Sequence, residues 1–87
     1  MSADDLLFDR VGQALTARGG WHYEPSPSPG GPASWCLDPG GEVVVAVSVI
    51  DGRVVAYLPA RDREVTFPGP EGLLAWMDEQ EGAAGAT

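Results

Sequence analysis

From Glu42 to Leu58 the chain is dominated by β-branched and other apolar residues and is interrupted once, at Asp51-Gly52. An Asp-Gly pair between two such runs marks a two-residue type I′ hairpin. That turn sets Ile50 opposite Arg53, Val49 opposite Val54, Val47 opposite Ala56 and Val45 opposite Leu58. Successive side chains alternate across a strand, so Val45, Val47, Val49, Val54, Ala56 and Leu58 share one face with no polar side chain. The opposite face carries Val44, Ala46, Ser48, Ile50, Arg53, Val55 and Tyr57, mixed but mostly apolar. Helices of the same chain can cover one face, and the other asks for a partner.

The flanking pattern supplies those helices and further strands. Ser2 followed by Asp5 approximates a capping box. Beyond it Leu7, Phe8, Val11, Ala14, Leu15 and Arg18 recur at spacings of three and four, predicting a helix over about residues 3–18 that Gly19-Gly20 ends. Trp21 to Glu24 alternates as a short strand. Pro25 to Pro32 reads as a loop, because four of its eight residues lack an amide hydrogen. Its bare PxxP spacing, Pro29 to Pro32, has no flanking basic residue to make it a recognition peptide.

A second strand is expected over residues 33–38, then a turn at Asp38-Pro39-Gly40-Gly41. If Pro39-Gly40-Gly41 is a three-residue loop, Leu37 faces Val43 and Trp35 faces Val45. If residues 60–63 form a four-residue loop, Leu58 faces Val65 and Ala56 faces Phe67 in a strand over residues 64–67. All three hairpins then place their apolar residues on the same face, and a slip of one residue would scatter them. Pro68-Gly69-Pro70-Glu71 opens a last helix with Leu73, Leu74, Trp76 and Met77 on its apolar side and Gly82 as its stop. The fold class is therefore α+β: an antiparallel meander of four to five strands, flanked by an N-terminal and a C-terminal helix packed on one face. Residues 1–82 form a single domain and residues 83–87 a disordered tail.

Charge narrows the choice of partners. Thirteen acids against five arginines and no lysine give a net charge of -8, which repels nucleic-acid backbones and anionic lipid. The expectation is no nucleic acid and no membrane as partner. One cysteine, Cys36, cannot form an intramolecular disulfide, and no apolar stretch is long enough for a signal peptide or a membrane span, so a reducing cytoplasm is expected.

Chemistry-bearing residues are sparse. His22 is the only histidine, with no second histidine or cysteine at ligand spacing, so it anchors no metal. Cys36 alternates to the mixed face and reads as a small half-buried apolar residue. Gly19-Gly20, Gly30-Gly31 and Gly40-Gly41 all lie outside the strand-loop-helix setting of a phosphate loop. Asp4/Asp5 and Asp78/Glu79 fall on solvated helix faces. Neither catalytic residues nor a cofactor is expected. Trp21, Trp35 and Trp76 read as core, with Trp35 able to meet Trp76 or Phe8.

The stretch from Trp35 to Met77 combines a Trp-containing strand, a valine-rich hairpin ending in Val55-Ala56-Tyr57-Leu58, and a Phe67-Pro68-Gly69-Pro70 helix start. It resembles small uncharacterised α+β domains of actinobacteria, a resemblance covering about half the chain that implies no activity and carries over no functional residue. The expected function is a non-catalytic cytosolic protein-interaction module, a regulator, adaptor or chaperone-like accessory. It would associate with itself or with another protein through Val44, Ala46, Ile50, Arg53, Val55 and Tyr57. Two alternatives stand beside it: an acidic inhibitor or immunity-type protein occupying a basic site on a partner, and a small-ligand binder with an aromatic pocket near Trp21, His22 and Tyr23.

Overall fold

A computed structural model describes residues 2–25 and 32–85. Helix α1 (Ala3–Arg18) leads into strands β1 (Trp21–Glu24), β2 (Ser34–Leu37), β3 (Val45–Ile50), β4 (Arg53–Leu58) and β5 (Arg63–Phe67), and helix α2 (Pro70–Gly85) follows. The strands form one sheet in sequential order β1-β2-β3-β4-β5, every pair antiparallel. This is the expected α+β meander. The PxxP segment lies largely outside the described residues.

Local chemistry starts and stops the elements where the side chains require it. The Ser2 hydroxyl accepts from the Asp5 amide while the Asp5 carboxylate accepts from the Ser2 amide, closing the capping box. At the other end of α1, Gly19 and Gly20 both take positive φ, 85° and 86°, which a residue with a Cβ strongly resists. Helix α2 runs to Gly85, past the stop expected at Gly82. A glycine costs a helix interior about 1 kcal/mol, and the following Ala83 and Ala84, the best helix formers, offset it.

The central hairpin has the register that Asp51-Gly52 predicts, with Ile50 opposite Arg53, Val49 opposite Val54 and Val47 opposite Ala56. Asp51 (φ 51°) and Gly52 (φ 75°) both carry the positive φ of a type I′ turn. The two outer hairpins differ from expectation by two residues. Leu37 faces Val45 and Trp35 faces Val47, rather than Val43 and Val45. Ala56 faces Val65 and Val54 faces Phe67, rather than Phe67 facing Ala56 and Val65 facing Leu58.

Backbone geometry explains both shifts. Pro59 has no N–H for the ladder and starts a 3₁₀ turn, Pro59–Arg61, which Asp62 closes in the left-handed region with its N–H on the Pro59 carbonyl. Leu58 therefore turns back onto Arg63. Between β2 and β3 the Gly41 N–H bonds the Asp38 carbonyl, and the Val44 N–H reaches the Leu37 carbonyl at 2.8 Å. Val43 and Val44 thus remain in the connection. A shift of two preserves the face on which every side chain lies, so the sorting of apolar residues holds.

Both helices pack on the clean face. The core joins Val11 and Leu15 of α1 and Leu73 and Met77 of α2 to Trp21, Val47, Val54 and Ala56 of the sheet. Each fully buried aliphatic side chain contributes about 1.5–3 kcal/mol. Arg10 pairs with Glu71 and Arg18 with Asp78, an increasing order in both helices that makes α1 and α2 run side by side in the same direction. These exposed pairs stabilise by about 0–1 kcal/mol each and fix alignment more than stability.

Candidate functional site: the open face of the sheet

The strand pairing lays the second face out in rows. One row runs Glu24, Ser34, Ser48, Val55 and Thr66; the next runs His22, Cys36, Ala46, Tyr57 and Glu64. Ile50 and Arg53 stand together beyond the first row. Among the described residues, the core that joins the two helices to the sheet draws no residue from this face. The floor is made of small side chains, Ser34, Cys36, Ala46 and Ser48, with the Ser34 and Ser48 hydroxyls hydrogen-bonded to each other at 3.0 Å. Satisfying these hydroxyls within the sheet leaves the floor free of unpaired polar groups.

The six residues expected at an interface separate into two kinds. Ile50 is 44% exposed at the end of β3, with Arg53 exposed beside it and Ala46 half-buried further along the strand; Val44 is 42% exposed but lies in the connection before β3, outside the sheet pairing. Tyr57 is half-buried, and its O–H donates to the Asp62 carboxylate at 2.9 Å, linking β4 to the turn that follows it. Val55 departs from expectation: it is only 9% exposed, so it serves as floor and offers little surface to a partner. The uncovered apolar surface is accordingly carried by Ala46 and Ile50, with Arg53, Glu24 and Glu64 as its charges.

At the β1 end of the face His22 sits between two carboxylates, Nε2 3.2 Å from Glu24 and Nδ1 3.3 Å from Asp38. The imidazole thus lies between strand β1 and the turn after β2, within reach of a carboxylate on each side. Its cross-strand neighbour Cys36 is 5% exposed, more buried than the half-buried position expected. Burial pushes its thiol above the usual value, and the Glu24 and Asp38 charges push it further in the same direction. The thiolate that nucleophilic or redox chemistry needs is thus disfavoured. Among the described residues no group of three or more His, Cys, Asp or Glu is placed to hold a metal ion.

Trp21, His22 and Tyr23 do not line one pocket together. Alternation sends His22 to the open face and the two aromatics to the helix face. There Tyr23, Phe8 and Trp35 form a cluster, with Phe8 and Trp35 stacked at 5.3 Å and Tyr23 edge-on to Trp35 at 5.4 Å. Trp35 meets Phe8, while Trp76 meets Phe67 at 5.8 Å. Sequence reasoning missed the Ser34–Ser48 pair and the placement of His22 between two carboxylates, both of which depend on the β1–β2–β3 register.

No helix among the described residues is long and apolar enough to cross a membrane. Comparison with protein-family models, with curated proteins and with solved structures finds no match to this chain.

Proposed function

We propose that this protein is a non-catalytic, cytosolic interaction module that docks another protein on the open face of its sheet. The observation that carries this reading is the placement of both helices on one face, which leaves Ile50 exposed on the other beside Arg53, at the end of a floor of small residues. Four inter-strand spacings of about 4.8 Å and a strand of about 20 Å give the face a footprint of roughly 400 Å². That is about half of the roughly 800 Å² each partner buries in a standard interface. The association is therefore a reversible encounter of the kind a regulator or adaptor makes.

Charge selects the partner. A second copy would bring another eight negative charges against this one, whereas a protein whose apolar patch is ringed by basic residues gains attraction at the same distance. Arg53 and Glu64 on the face set the orientation.

The test uses Ile50→Glu, which places a carboxylate beside Arg53 and leaves the core intact, with Ala17→Glu on the exposed side of α1 as the control. A partner captured from the native cytosol and identified by mass spectrometry is expected to be lost with Ile50→Glu and retained with Ala17→Glu. Retention by both variants overturns the reading. So does light scattering that gives twice 9.1 kDa for the isolated protein and 9.1 kDa for Ile50→Glu, which would make the occupant a second copy.

A further inference from the structure

The end of the sheet away from the Asp51-Gly52 turn holds a cavity of about 260 Å³ on the helix face, between the sheet and α2. Trp21, Leu37, Val45 and Leu58 form the sheet side, Val44 joins them from the connection before β3, Trp76 and Met77 form the helix side, and Arg61 stands in the wall from the 3₁₀ turn. The volume lies just under the about 300–1,000 Å³ of ordinary ligand pockets, large enough for one ring or a short branched chain.

The polar side-chain atoms of this wall are of one kind. Trp35 donates its indole N–H to the Phe8 carbonyl, but it lies outside the cavity. Trp21, Trp76 and Arg61 do line it, and their indole N–H groups and guanidinium have no hydrogen-bond or ion-pair partner among the described residues; no buried side-chain nitrogen or oxygen among those residues is left unsatisfied, so these donors reach solvent. Indole nitrogen and guanidinium are donors that cannot accept. Every side-chain nitrogen of the wall is therefore a donor, and its one other side-chain heteroatom, the Met77 thioether sulfur, is only a weak acceptor. Arg10 and Arg18 are paired with Glu71 and Asp78, whereas the cavity arginine is not, in a chain with thirteen acids.

We propose that this cavity binds a small organic carboxylate with an apolar body, the body between Trp21, Leu58 and Trp76 and the carboxylate at Arg61. A carboxylate is an acceptor-only group and forms its strongest hydrogen bonds with guanidinium. A neutral amide of the same shape brings an NH₂ that finds no strong acceptor side chain in the wall and leaves the guanidinium without a counter-charge. The site is separate from the open face, so the two proposals fail independently.

Phenylacetate and phenylacetamide are the probes, followed by tryptophan fluorescence and by calorimetry on the full chain. Phenylacetate is expected to perturb the fluorescence saturably and to bind more tightly than the amide by about tenfold, the factor that one charge-assisted hydrogen bond supplies. Arg61→Gln, at an exposed position whose unchanged melting temperature verifies folding, should remove that discrimination. Leu58→Phe, which fills the cavity, should weaken both probes, and Ile50→Glu should alter neither. Absence of saturable binding by either probe, equal binding of acid and amide, or an Arg61→Gln variant that still prefers the acid each overturns the assignment.

Discussion

The indole of Trp35 lies directly against the backbone of Gly12, so close that a methyl group on the Gly12 Cα would overlap the six-membered ring. This contact sets the distance of α1 from the sheet. It allows the Trp35 N–H to reach the Phe8 carbonyl at 3.3 Å one turn earlier in the helix and the ring to stack on Phe8. In an isolated helix, replacing glycine by alanine stabilises by about 1 kcal/mol. Here the added methyl must displace a half-buried indole or lift the helix, and overpacking costs about 1–3 kcal/mol. Gly12→Ala should therefore destabilise the protein despite the gain in propensity, by about 1–2 kcal/mol in chemical denaturation. An increase in stability would show that Trp35 moves aside freely.

Ser2 offers a contrasting case at the start of the same helix. Its hydroxyl and the Asp5 carboxylate satisfy each other's backbone N–H groups, and loss of such a cap costs about 0.5–2 kcal/mol. Ser2→Ala should lower the denaturation midpoint by that amount, while Ser2→Asp, another good cap, should restore it. Equal stability of all three proteins would mean that the first turn of α1 frays in solution.

These elements show what could be read from residue order and where that reading stopped. The Asp51-Gly52 turn has one favoured geometry, so the partners of Val49 and Ile50 followed directly from it. The connections at Asp38–Val44 and Pro59–Asp62 have several geometries, and hydrogen bonds from Val44 and Asp62 choose among them. Each moved the register by two residues, an even step to which the hydrophobic alternation is blind. The faces were consequently legible and the exact pairs were not. Burial of Val55 was hidden for a related reason: its row neighbours, Ser48 and Thr66, depend on two registers at once. The cavity joins Trp21, Leu58, Arg61 and Trp76 from four separate elements, and no local spacing relates them.

Cys36 should behave as a protected thiol. Its burial and the nearby Glu24 and Asp38 charges all hold it protonated, and only the thiolate attacks a disulfide reagent. At neutral pH the native protein is expected to react with such a reagent at least about tenfold more slowly than the same protein in denaturant. Glu24→Gln should accelerate the native reaction slightly, because burial is the larger cause and remains in place. A native rate equal to the denatured one would place Cys36 in contact with solvent and remove it from the floor of the open face.

Tyr57 gives the fold an alkaline limit. The hydrogen bond to Asp62 is the main cause that raises its phenol above the usual value of 10.0, with the Asp62 charge, burial and the Glu64 charge adding in the same direction. The folded state thus favours the neutral phenol more than the unfolded state does. The resulting stabilisation is fully present below the unfolded value of 10.0 and is lost as pH rises through the higher folded value. Tyr57→Phe keeps the ring and removes the titrating group together with the link to Asp62. Its denaturation midpoint should lie below that of the wild type at neutral pH, and the gap should close at strongly alkaline pH. Because Asp62 terminates the β4–β5 turn in the left-handed region, the same variant should also speed amide exchange at residues 60–63. A midpoint difference that does not change with pH would mean that the Tyr57–Asp62 bond contributes nothing in solution.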